Sequence, residues 1–124
     1  MSSDVRRRLG DRGEQLAAEH LRRRGFEILE RNYRTRWGEL DLIAFDGGTL
    51  VFCEVKTRRR AGAAPVPFEA VHAGKQGRVR RMAARWLSER TDRPRAALLR
   101  FDAIGVVLDA RHELVSLEHL EGAF

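Results

Sequence analysis

Apolar positions along residues 11–24 recur at the spacing of a helix. At 100° per residue, Ala17, Ala18 and Leu21 fall on one arc, and Arg12, Gln15, Glu19, Arg22 and Arg23 cover the other. Gly25 suits the left-handed position just past a helix end. Period-two and continuous apolar runs predict strands over residues 26–33, 38–45 and 49–57, with Asp46-Gly47-Gly48 as the turn between the second and third. A loop containing Ala, Gly and Pro at 61–67 leads to a second helix within residues 68–90, whose start is blurred by Gly74 and Gly77. Residues 97–108 are rich enough in Leu, Ile and Val for a fourth strand, and 113–117 return beside it. The predicted order is αβββαβ with a last β: one mixed α/β domain over residues 1–124, its central sheet flanked by helices.

The runs at 40–45 and 50–55 are apolar enough for strands covered on both faces, so the charges inside them require a reason. Glu39 and Asp41 are two apart on the second strand, and Glu54 and Lys56 are two apart on the third, so each pair shares a face. A two-residue Gly47-Gly48 loop sets Asp41 opposite Glu54 and Glu39 opposite Lys56. Two facing carboxylates repel unless a cation lies between them. Oxygen ligands of this kind suit Mg²⁺ or Mn²⁺, with Lys56 placed to assist a water or to neutralise a phosphodiester. A one-residue slip would separate Asp41 from Glu54 onto opposite faces. The competing reading makes these residues ordinary ion pairs. It is the weaker one, because partly buried acidic pairs are costly.

Charge sharpens this picture. The 124 residues carry 24 Lys and Arg against 18 Asp and Glu, for a net charge of +6. The excess is local: residues 57–100 hold 12 basic and 3 acidic side chains, whereas 37–56 hold 1 and 4. A cationic rim following an acidic strand pair points to nucleic acid as partner, with Arg58, Arg59, Arg60, Lys75, Arg78, Arg81 and Arg85 as candidate phosphate contacts. A solvated basic helix face is the plainer alternative for the helical members. Lys75 shares a helical stripe with Val79, Met82 and Trp86 and must snorkel or reach an acid. Trp37 is placed to stack on a base, and Trp86 reads as core.

No apolar run is long enough to span a bilayer, and the first residues lack a secretory pattern, so the expectation is a cytoplasmic protein with no membrane partner. The lone Cys53 sits in an apolar segment and reads as a small buried hydrophobe. No His/Cys spacing suits zinc, and no nucleophile elbow is present.

The stretch Gly-Glu-Leu-Asp-Leu-Ile-Ala-Phe-Asp at 38–46, followed by Leu-Val-Phe-Cys-Glu-Val-Lys-Thr-Arg at 50–58, resembles the YraN-like family of small bacterial proteins. The opening Gly-Asp-Arg-Gly-Glu-Gln-Leu-Ala-Ala-Glu, the helix bearing Lys75, Arg100-Phe101-Asp102 and the terminal Ala123-Phe124 extend the likeness over nearly the whole chain. That family resembles the restriction-endonuclease-like PD-(D/E)xK superfamily, near the Holliday-junction resolvases. The resemblance implies a Mg²⁺-dependent endonuclease acting on DNA, with Asp41, Glu54 and the Val55 carbonyl as metal ligands. Lys56 then assists the water, and Glu14 on the first helix supports the site. Leu40 stands where the superfamily motif has Pro. Resolvase relatives act as dimers, which implies a homodimer here. The superfamily also has inactive members, so the alternative is a nucleic-acid-binding protein that is silent or cuts only with a partner. An interaction module held by structural ion pairs is a third class. Glu14 carries two readings, since Asp11-Arg12-Gly13-Glu14 is also spaced as a capping box. Asp102 reads equally as a supporting group or as a strand-end ion pair.

Overall fold

A computed structural model describes the backbone of residues 3–60 and 73–123, and side chains at 4–60 and 76–123. Helix α1 (Ser3–Arg23) is followed by strands β1 (Glu27–Thr35), β2 (Gly38–Phe45) and β3 (Thr49–Arg59), helix α2 (Ala73–Glu89), and strands β4 (Leu98–Leu108) and β5 (Leu114–Leu120). The strands form one sheet in the order β1-β2-β3-β4-β5. The β3–β4 pair is parallel, because α2 carries the chain across the sheet between them, and the other neighbours are antiparallel. This is the expected mixed α/β architecture with an αβββαβ core.

The α1 arc of Leu16, Ala17, Ala18 and Leu21 packs on Leu42, Ala44, Val51 and Cys53. On the other face, Val79, Met82, Ala83 and Trp86 of α2 cover Leu40, Ile43, Leu50, Phe52 and Phe101. The stripe read from the helical wheel thus faces the core. Among the described residues, no helix is long and apolar enough to cross a membrane.

Helix α1 begins eight residues before the sequence pattern suggested, which changes the reading of Glu14. Asp11 lies two turns inside the helix, where the backbone N–H groups are already paired, so of the two readings of Glu14 the capping box is not formed. The far end agrees with expectation. Gly25 has φ +92°, and the Phe26 N–H donates to the Leu21 carbonyl at 3.0 Å, closing the helix with a left-handed cap.

Gly13 sets how closely α1 approaches β3. A Cβ at this position would lie 1.8 Å from Thr57 Oγ1 and 2.7 Å from Thr57 Cβ, so only glycine permits the contact. Gly13→Ala should therefore destabilise the protein by about 1–3 kcal/mol in urea unfolding. In an exposed helix the same change would stabilise by roughly 1 kcal/mol. Adding Thr57→Ala should recover part of the loss. A neutral or stabilising Gly13→Ala would mean that the helix can retreat at no cost.

Candidate metal centre and its cleft

The β2–β3 hairpin closes as the two-residue loop requires. The Asp46 N–H donates to the Thr49 carbonyl, Asp46 Oδ1 accepts the Thr49 N–H at 2.9 Å, and the ladder runs from Phe45↔Leu50 to Leu42↔Cys53. This register leads Asp41 toward Glu54. The ladder ends at the Leu42↔Cys53 pair, and the Val55 N–H donates to Asp41 Oδ2 at 2.7 Å. A carboxylate has taken the place of a backbone acceptor between the two strands.

Why the ladder yields at this point is visible in β1. Arg31 pairs with Leu42 and Tyr33 with Leu40, yet Leu42 belongs to the α1-side core and Leu40 and Tyr33 to the α2-side core. Residues two apart in a regular strand share a face. Asn32, between them, adopts φ 55°, a conformation that asparagine tolerates better than most residues, and the pair of strands changes face there.

Asp41 sits at this crossover, with α1 above it. Carboxylate oxygens of Glu14, Glu39 and Asp41 all lie within 4.8 Å of one another. With its amide oriented to donate, the Asn32 nitrogen is 2.8 Å from both Glu14 Oε1 and Glu39 Oε1. Arg34 Nε donates to Glu39 Oε2 at 3.1 Å, and Arg31 stands 4.0 Å from Glu14. The electrostatic consequence is strong. Burial pushes the Asp41 carboxyl up to about 7 against the opposing Val55 hydrogen bond, and Glu14 and Glu39 raise it further. Glu14 is raised as well, chiefly by burial and then by Glu39, with Arg31 working in the other direction. Burial and mutual repulsion therefore make it costly for Glu14 and Asp41 to be ionised together.

A cleft of about 420 Å³ opens beside it, lined by Trp37, Gly38, Glu39, Asp41, Glu54, Val55, Lys56, Arg78, Val79 and Met82. Asp41, Glu54, Val55 and Lys56, singled out from the sequence, thus meet in one cleft, and Glu14 reaches Asp41 from α1. Lys56 is exposed at the cleft. Alternation sets Glu39 on the face of Asp41 and opposite Lys56, and in the fold it joins Asp41 and Glu14 in the three-carboxylate group. Asn32 had no sequence signal, since its role depends on a positive φ.

The basic candidates separate. Arg78 lines the cleft, Arg81 and Arg85 are exposed on α2, and Arg85 is engaged with Glu89 at 3.3 Å. Arg58 and Arg59 continue β3 beyond Lys56, and the Arg60 N–H donates to the Leu108 carbonyl at 2.7 Å. Lys75 is on the first turn of α2, and its side chain lies outside the described residues, as does the loop at 61–67.

Away from the cleft, fully buried Asp102 accepts both Arg100 Nε and Nη2 at 2.9 Å, His119 Nε2 at 2.7 Å and the Gly122 N–H at 3.0 Å. His119 Nδ1 is 3.0 Å from His20 Nε2 on α1. Despite its burial, Asp102 is held below the usual carboxylate range by His119 and Arg100. Of the two readings of Asp102, the structure favours an internal ion pair that ties β4, β5 and α1 together.

The model of "Uncharacterised protein family UPF0102" matches residues 13–106. A UPF0102 protein of Parafrankia sp. (strain EAN1pec) is 49% identical over 120 residues, covering 97% of this chain and 98% of its own. A UPF0102 protein of Frankia alni is 51% identical over 120 residues, covering 94% and 93%. One from Chlorobium chlorochromatii is 45% identical over 122 residues, covering 94% and 90%. The matched span runs from the Gly13 contact on α1 through the carboxylate cleft into β4, and by these matches the chain belongs to the UPF0102 family.

Proposed function

We propose that this protein is a metal-dependent nuclease of the PD-(D/E)xK kind, cutting phosphodiester bonds of DNA in the cleft beside Asp41. The observation that carries the reading is the meeting of Asp41, Glu54 and Lys56 in one cleft, beside a cluster of three partly buried carboxylates whose oxygens lie within 4.8 Å of one another. An all-oxygen donor set of this kind suits a hard divalent cation such as Mg²⁺ or Mn²⁺. Asp41 and Glu54 would hold it with the Val55 carbonyl, and Glu14 and Glu39 would support it from the adjoining α1 and β2. When bound, such an ion supplies an activated water and neutralises charge on the phosphate.

The chain's own groups have separable tasks. Asn32 and the Val55 N–H orient the carboxylates, since each can only donate to them at these positions. Lys56 positions the attacking water and offsets negative charge gathering on the phosphate oxygens. Arg78 across the cleft holds a flanking phosphate. A protein that only bound DNA would gain nothing from clustered carboxylates there, because they repel the backbone.

Glu54→Ala and Lys56→Ala should each lower Mg²⁺- or Mn²⁺-dependent cleavage of DNA by about 100-fold or more, with DNA binding retained in Glu54→Ala. Cleavage unchanged in both variants would overturn this assignment. Salt-sensitive binding by wild type without cleavage of duplex, branched or single-stranded DNA would leave a silent nucleic-acid-binding protein.

A further inference from the structure

Trp37 stands at the cleft mouth in a turn built to hold it. Its N–H donates to Thr35 Oγ1 at 3.0 Å, and the same hydroxyl donates to the Gly38 carbonyl at 3.2 Å. Gly38 has φ +133°, which glycine alone adopts without strain, and it packs where a Cβ would meet Met82 of α2 at 3.9 Å. The β1–β2 turn is thus tied to itself at the edge of the cleft. Trp37 is only partly buried, and the guanidinium of exposed Arg36 lies over its ring at 4.7 Å. An indole at the edge of a cleft, with a surface arginine resting on it, presents a planar stacking face occupied by a weakly held group.

The size of the cleft adds a second constraint. The open cleft of about 420 Å³ lies between α2 on one side and the β1–β2 turn on the other, and is roomy enough to admit a base. A paired base in a duplex has both faces covered by its neighbours, so it can stack on Trp37 only after leaving the stack. We infer that the protein acts on nucleic acid with an unpaired nucleotide at the site, and that Trp37 selects it by stacking on the base. The base takes the place of the Arg36 guanidinium on the indole. Arg36 is thereby released toward the neighbouring phosphate, while Lys56 and Arg78 meet the backbone inside the cleft. Stacking tolerates any base, so the selectivity is for strandedness and not for sequence. The inference rests on the nuclease reading only in placing the base beside the carboxylates.

The chain's two tryptophans make the test direct. Trp86 is buried and donates Nε1–H to Glu30 at 2.9 Å, so a bound oligonucleotide can reach only Trp37. Wild-type protein is titrated in EDTA with a twelve-residue oligothymidylate and, separately, with a blunt twelve-base-pair duplex, following tryptophan emission and fluorescence anisotropy of labelled DNA. The single strand should quench the emission, and Trp37→Phe should bind it within about threefold without quenching. Trp37→Ala should weaken the single strand about tenfold and leave the duplex unchanged. Binding without quenching, equal loss for both DNAs in Trp37→Ala, or no binding of the single strand would each overturn the inference. Quenching in a wild-type protein that cuts nothing with Mg²⁺ or Mn²⁺ would keep it and remove the nuclease reading. Cleavage that depends on Glu54 and ignores both strandedness and Trp37 would do the reverse.

Discussion

Asp102→Ala should cost the fold about 3–5 kcal/mol, the largest loss expected from any single polar substitution described above. The size follows from what the carboxylate leaves behind. Arg100 and His119 both point into a fully buried position, and the Gly122 N–H loses its acceptor with them. Alanine would thus leave the buried His119 imidazole without its acceptor, leave the partly exposed Arg100 with only the more distant Glu121 carboxylate at 3.7 Å, and loosen the His119–His20 contact that joins β5 to α1. Asp102→Asn keeps one acceptor oxygen and should fall between alanine and wild type. The pH dependence has a definite sign. Because the folded carboxyl titrates below its unfolded value, its contribution is present above about pH 3.9 and is lost as pH falls through the folded value. The gap between wild type and Asp102→Ala in urea midpoints should therefore be widest near neutrality and should close in acid. A gap of under 1 kcal/mol at pH 7 would show that the network is dispensable.

Asp41→Asn should do the opposite to stability while abolishing the proposed activity. The folded carboxyl titrates at about 7, far above its unfolded value, so ionising it costs the fold free energy. Between about pH 4 and 7 the unfolded chain has released this proton and the folded chain retains it, so wild-type stability declines as pH rises through that window. Asparagine keeps an oxygen for the Val55 N–H and carries no charge, and the metal-free variant should exceed wild type by on the order of 3 kcal/mol at pH 8. At pH 4 the two should coincide. Added Mg²⁺ or Mn²⁺ should raise the melting temperature of wild type and leave that of Asp41→Asn nearly unmoved, and cleavage should fall by about 10³-fold or more. A variant less stable than wild type at pH 8 would mean that the carboxylate is already satisfied by the protein, with no need of a cation.

The parts of this molecule that follow from periodicity were readable from the chain. The α2 stripe through Val79, Met82 and Trp86, the β2–β3 register and the closing Gly25 all depend on neighbours in sequence, and all stand as expected. The early start of α1 was hidden because Arg6, Arg7 and Arg8 mask the helical pattern with a run of charges. Asn32 was hidden for a different reason. Its place beside Glu14 and Glu39 depends on a left-handed conformation in β1, and strict alternation cannot foresee it. Asp102 is ambiguous in the sequence because, besides Arg100 two residues before it, its partners His119 and Gly122 lie 17 and 20 residues downstream, His119 on a β5 longer than its apolar run implies.

Cys53 is fully buried beneath α1, and its thiol is pushed well above its ordinary range by that burial and by nearby acidic groups. Because the chain has no other cysteine, its surface offers no native sulfur for maleimide coupling. A cysteine introduced at an exposed arginine on α2 would therefore be the single attachment point for a dye or spin label, with the native background already silent.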